Sequence, residues 1–228
     1  MSSSPNTILL IADISGYTRF MKQHAISIGH AKQIIVRLLK ALIKAARPPL
    51  KVAELEGDAV FLYVQTSDAA IEATAQQVKE QVVNFFRTFK AELREIDALR
   101  TCSCDACVHL PDLQLKQVLH VGRVEIERIG RFEKLFGLDV ILVHRLLKNS
   151  VRANEYVMMT RPMFDCMKDF YGLTPVLYND LLEGVGRVET LVFHPHQLPL
   201  HLLTATPDRE PMSVAAKLRW RWEISYKL

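Results

Sequence analysis

The chain has 228 residues, 49% of them hydrophobic, and 29 Lys and Arg against 25 Asp and Glu, a net charge of +4. That length and apolar content are enough for one domain with a buried core plus an elaboration, and the dispersed charge offers no electrostatic tract suited to nucleic acid. The opening MSSSPNT lacks the basic start and apolar stretch of a secretion signal, and no apolar run approaches the roughly 20 residues that cross a bilayer. Three of the four cysteines crowd into Cys102-Ser103-Cys104-Asp105-Ala106-Cys107, which suits reduced thiols or a metal better than a disulfide framework. A cytoplasmic protein with no membrane or nucleic-acid partner is expected.

In chain order, Ile8 to Ile14 is an almost unbroken apolar run interrupted only by Asp13, which predicts a strand buried on both faces. From Ser27 onward Ile28, Ala31, Ile35, Leu38, Leu39, Leu42 and Ala46 recur at helical spacing, and Pro48 and Pro49 stop that helix. Two extended runs, Leu50 to Glu56 and Ala59 to Val64, flank Gly57-Asp58, a tight hairpin turn with Asp58 at its tip. Ser67 and Asp68 can cap a long helix whose apolar side is Ile71, Val78, Val82, Phe85, Phe86, Phe89 and Leu93.

Beyond the cysteines, Leu113 to Val121 and Arg123 to Glu127 read as strands joined at Gly122, followed by a helix from about Leu138 to Asn149. Tyr156 to Thr160 and Val188 to His194 look extended, and Pro162 opens a short helical segment carrying Cys166. Leu218, Trp220, Trp222, Ile224, Tyr226 and Leu228 alternate with polar residues, which predicts a strand with one apolar face that must find a partner. The expected division is a domain over residues 1–205 and a C-terminal extension over 206–228 ending in that strand.

Cys102, Cys104 and Cys107 lie close enough together to offer thiolates to one borderline metal such as Zn²⁺, a candidate second metal site, with His109, His120 or Cys166 as a fourth ligand. Thiols packed under a loop and a redox-sensitive pair are the competing readings. His24, His30, His194, His196 and His201 show no ligand pairing at helical spacing and read as surface or core-edge residues.

The segment Ile11-Ala12-Asp13-Ile14-Ser15-Gly16-Tyr17-Thr18 resembles the first metal-binding strand and turn of class III adenylate and guanylate cyclases, and Glu56-Gly57-Asp58-Ala59-Val60 resembles their second. Leu119 to Val124 is similar to the family's strand-turn-strand, and Gly137-Leu138-Asp139-Val140 runs toward Arg145 as the family's next helix does. The matches fall in family order over residues 7 to about 195. The resemblance implies an α+β fold, a ferredoxin-like cyclase sheet with helices packed on one face, and a homodimer with composite sites. It implies that Asp13 and Asp58 bind Mg²⁺ or Mn²⁺, that the Ile14, Ser15 and Gly16 backbone receives phosphate oxygens, that Glu54 contacts the base and that Arg145 is catalytic, stabilising charge on the α-phosphate. The substrate implied is a nucleoside triphosphate, GTP or ATP, cyclised with release of pyrophosphate. Apart from the resemblance, Asp13 can equally cap a helix and Asp58 make a turn.

The chain also departs from the pattern. Ile141 stands where the family has a sugar-orienting Asn, Lys134 fits neither family choice at the second base-selecting position, and Glu183 replaces a phosphate-binding Lys. His144 and Asn149 are near enough to stand in for the missing Asn, and Arg187 or Lys134 for the missing Lys. Two readings follow: a divergent cyclase, or a catalytically degenerate module of the same fold that senses nucleotide or metal or docks a protein.

Overall fold

The computed structural model describes residues 5–23, 28–99, 104–204 and 213–226; Cys102 and His24 lie outside the described residues. The chain begins with β1 (Asn6–Ser15), α1 (Tyr17–Gln23), α2 (Ile28–Ala45), the hairpin β2 (Lys51–Glu56) and β3 (Ala59–Thr66), and the long α3 (Ile71–Leu99). A short α4 (Asp105–Val108) and a 3-10 turn lead into β4 (Gln114–Arg123), β5 (Glu125–Ile129), β6 (Phe132–Phe136) and α5 (Leu138–Arg145). The rest comprises β7 (Tyr156–Thr160), α6 (Arg161–Met167), β8 (Val176–Leu182), β9 (Gly186–Phe193), α7 (Leu200–Thr204) and α8 (Val214–Tyr226).

Seven strands form one sheet in the order β2-β3-β1-β4-β7-β9-β8, antiparallel except for the β4–β7 pair. β1 lies near its centre, which is why its run is apolar on both faces. Ile8, Leu10, Ala12 and Ile14 pack with Ile34, Leu38 and Leu42 of α2 and with Val78, Val82, Phe85, Phe86 and Phe89 of α3. Leu9 and Ile11 point the other way, into a smaller cluster with Phe61, Tyr63 and Val118 that is covered by Val143 and Leu146 around the end of α5. The fold is thus mixed α+β, with the long helices α2 and α3 on one face of the sheet and α5 on the other. Among the described residues no helix is long and apolar enough to cross a membrane.

Three sequence expectations are corrected. The first concerns Gly122, which makes no hairpin: β4 runs through it to Arg123, and β5 pairs with β6 as a separate two-stranded ribbon. The glycine is there because Asp139 lies against it, and a Cβ at 122 would fall 2.1 Å from the Asp139 Cγ. Second, α5 ends at Arg145 rather than near Asn149, because Asn149 builds a turn, donating to the Leu146 carbonyl at 2.6 Å and accepting from the Val151 amide at 3.0 Å.

Third, the alternating C-terminal run is helical as far as it is described, in α8 (Val214–Tyr226). Ser213 Oγ accepts the Ala216 amide at 3.2 Å as an N-cap. Trp220 is buried beside the Arg37 guanidinium, 4.6 Å from its ring centroid, while Trp222 remains exposed. A helix satisfies its backbone groups locally, whereas a strand needs a sheet edge. β6 and β8, which no apolar pattern announces, are largely exposed strands outside the sheet centre.

Candidate functional site

The C-terminal end of β1 and the tip of the β2–β3 hairpin meet. Asp13 sits opposite Ala59 in the β1–β3 register, so Asp58 at the turn is brought alongside it. The Ile14 amide donates to the Asp58 carbonyl at 3.2 Å and fixes the hairpin tip against the strand. Gly57, at φ +62°, supplies the left-handed turn that aims Asp58 back at the sheet. Two acidic residues 45 positions apart in sequence therefore form one cluster.

Burial, then the neighbouring Asp13 carboxylate, push the Asp58 pKa from 3.8 up to about 6, and the two side chains hydrogen-bond to each other. On the far side of Asp13, Lys116 of β4 places Nζ 2.9 Å from Asp13 Oδ2. Burial disfavours that ammonium, but its hydrogen bond and attraction to Asp13 outweigh the loss and raise its pKa. One cation thus faces two partly buried carboxylates, and the cluster is short of positive charge. Hard oxygen donors with an unneutralised charge fit a divalent cation such as Mg²⁺ or Mn²⁺. Nothing in the sequence singled out Lys116, because one Lys in an apolar strand looks like any solvent-facing position.

The row continues across the sheet. Lys116 pairs in register with Tyr156 of β7, whose pKa is raised, chiefly by burial and in part by Asp13 and Asp180. Gly16, at φ +89°, turns the chain out of β1, and a Cβ there would stand 2.9 Å from the Asp112 carbonyl, so the Ile14–Gly16 loop is closely backed.

The second half of the site is built on α5. Asp139 in its first turn accepts from His120 Nε2 at 2.8 Å and from the Arg123 amide at 2.7 Å, and these bonds, led by His120, hold its pKa below the usual carboxylate value against the opposing effect of burial. His120 Nδ1 lies 2.9 Å from the Thr160 hydroxyl, so β4, β7 and α5 are tied at one point. At the other end of α5, His144 meets Glu56 at 2.7 Å through Nε2 and the Val140 carbonyl at 2.8 Å through Nδ1. Its ring also stands edge-on to Phe61.

Both ring nitrogens of His144 are thereby engaged, and Asn149 donates to Leu146 and to the Tyr156 hydroxyl. Arg145 extends to Glu183, with 3.6 Å from Nη1 to Oε2, beside Gly184 in the β8–β9 turn. Lys134 Nζ is 2.7 Å from Glu54 Oε2, so these two residues, separated by 80 positions in sequence, form an ion pair.

The described part of the cysteine segment, Cys104 to Cys107, lies elsewhere, at α4 beside the start of α2. His30, read from sequence as a core-edge residue, is the ring that meets it, with Nδ1 3.3 Å from Cys104 Sγ. Of the fourth-ligand candidates, His120 belongs to the Asp139 anchor and Cys166 to α6.

The sheet order and the helix-bearing faces give a fold similar to that of adenylyl and guanylyl cyclase catalytic domains. The adenylyl cyclase CyaB from Pseudomonas aeruginosa matches with a TM-score of 0.61 over 85% of this chain and 96% of its own, at 14% identity. The guanylate cyclase domain of RhGC from Catenaria anguillulae, in complex with GTP, matches at 0.52 over 84% of this chain and 97% of its own, again at 14% identity. Likeness at such identity is one of fold alone. By sequence, the chain belongs to the family described as "Protein of unknown function (DUF2652)", whose model matches residues 35–156. It is also 32% identical over 179 residues, 78% of this chain and 76% of the other, to "Uncharacterized protein Rv2561/Rv2562" of Mycobacterium tuberculosis (strain ATCC 25618 / H37Rv).

Proposed function

We propose that this protein is a divergent nucleotidyl-cyclase-like domain that binds a nucleoside triphosphate with a divalent metal at Asp13 and Asp58 and works as a homodimer. The observation that carries the reading is the meeting of those two carboxylates with one compensating ammonium. Mg²⁺ or Mn²⁺ held there would neutralise the polyphosphate and the oxygen that attacks it. Asp58, with a pKa near 6, gives up its proton when the site fills. Lys116 keeps Asp13 oriented and offers a second positive charge beside the phosphates. Because the Ile14 amide is committed to Asp58, backbone contact with phosphate oxygens falls to Ser15 and Gly16.

Glu54 reads the base, its carboxylate accepting from guanine N1 and N2, with Lys134 beside it to donate to O6; this favours GTP over ATP. Arg145, reaching the site of the second subunit, stabilises charge on the α-phosphate as the ring closes. The homodimer is supported by apolar side chains left open around the ribbon and α5, with Phe132, Leu138 and Ile141 exposed by 58%, 80% and 47%.

A second reading keeps the fold and the binding without turnover, and the Arg145–Glu183 contact favours it, since it sets an acid on the cation that chemistry needs. Calorimetric titration with GTP and ATP in Mn²⁺, followed by chromatography for cyclic nucleotide, separates the two. Cyclic product that disappears in Asp13→Ala supports the cyclase, and metal-dependent binding without product supports the sensor. No metal-dependent binding of either nucleotide would overturn both.

A further inference from the structure

His30, Cys104 and Cys107 each bring one ligand atom to the same point, all within 4.8 Å of one another. We propose that these residues form a zinc site, separate from the carboxylate cluster, that clamps the start of α2 to α4. In a tetrahedral site with Zn–S near 2.3 Å and Zn–N near 2.0 Å, ligand atoms stand roughly 3.4–3.8 Å apart. The 3.3 Å between His30 Nδ1 and Cys104 Sγ is close to that edge length, and the two edges to Cys107, within 4.8 Å, close toward it when an ion enters.

The setting is right for such an ion. His30 and Cys107 are each 2% exposed, and Cys104 is partly covered. An imidazole and two sulfurs converging at one point form a borderline-soft donor set that selects zinc over the hard cations suited to the carboxylate end. Three protein ligands leave one position of the tetrahedron for solvent or another donor. Binding forms two Zn–S bonds and one Zn–N bond; the two thiols release their protons to solvent, and nothing is oxidised or reduced.

The position gives the site a structural role. α4 leads through the Leu110–Asp112 turn, and the carbonyl of Asp112 backs Gly16. A clamp on α4 therefore steadies the segment behind the Ile14–Gly16 loop.

The test is elemental analysis of the full chain purified under reducing conditions without added metal or chelator. About one zinc per chain is expected, released when an organomercurial titrates the thiols. His30→Gln and Cys104→Ser should each lower zinc occupancy about tenfold, whereas Asp13→Ala should leave it unchanged, so the outcome is independent of the nucleotide reading. Should the cysteine variant fail to fold, Co²⁺ titration of the chelator-stripped wild type decides: intense tetrahedral bands with thiolate charge transfer, weakened in His30→Gln, uphold the site. Metal-free protein that takes up no Co²⁺ in this way, full zinc occupancy in His30→Gln, or a Cys104–Cys107 disulfide in the purified reduced protein overturns it.

Discussion

The two halves of the candidate nucleotide site are built on different foundations. The acidic half, Asp13 with Asp58 and Lys116, grows out of the central strands, and Asp13 is 8% exposed at the end of a strand whose remaining residues fill both cores. The basic half, Arg145 with Lys134, stands on α5 and on the ribbon, and each of its cations already touches an acid of the same chain, Glu183 or Glu54. A change in the acidic half disturbs a buried ion cluster, whereas a change in the basic half alters exposed pairs whose contribution to stability is small. The departures from the cyclase pattern, Lys134, Ile141 and Glu183, all lie in the half where substitution costs the fold least.

Asp13→Ala should break the acidic half most severely. Nucleotide binding in Mn²⁺ should weaken by about 100-fold, or about 2.7 kcal/mol, by calorimetry. Next is Gly122→Ala, which drives a methyl into a carboxylate pinned by His120 and Arg123. Denaturant unfolding should show a loss of about 2 kcal/mol, and because Asp139 opens α5 the same variant should loosen Arg145.

A smaller effect tests the basic half. Glu183→Lys frees Arg145 and restores a cation facing the phosphates, so triphosphate affinity should rise about tenfold by the same titration, with little change in melting temperature. An unchanged affinity would mean that Glu183 does not limit the basic half.

A last test is a pH slope. The folded Asp58 pKa, about 6, lies above its unfolded value of 3.8, so the folded state holds a proton that the unfolded state has released. Its contribution to stability is present below about pH 4 and is lost as pH rises through 6. Without divalent metal, the melting temperature of wild type relative to Asp58→Asn should fall across that window. Added Mn²⁺ should remove the difference at neutral pH.

Much of this was legible in local patterns. The apolar run with Asp13 inside it, the Gly57-Asp58 turn and the long phenylalanine-bearing helix are periodic or punctuated signals that fix an element without knowledge of its neighbours. Where the reading failed, the deciding partner was remote. Gly122 was taken for a turn because its close neighbour, Asp139, is 17 residues away. The alternation from Leu218 to Leu228 has the period of a strand, but α8 is set by its Ser213 cap and by Trp220 against Arg37, a residue nearly two hundred positions earlier. His30 looked like an isolated histidine because no cysteine lies near it in sequence.

Taken alone, the amino-acid order determined which segments are apolar on two faces, where the chain must turn and which acids sit at strand ends, since these depend on side-chain type and spacing over a few residues. Only tertiary packing decided that Lys116 neutralises Asp13, that Glu54 faces Lys134, that Glu183 reaches Arg145 and that His30 joins Cys104 and Cys107. Each of these pairings depends on strand register or helix docking, and a charge or ring nitrogen acquires its chemistry from the group that folding places within a few ångströms of it.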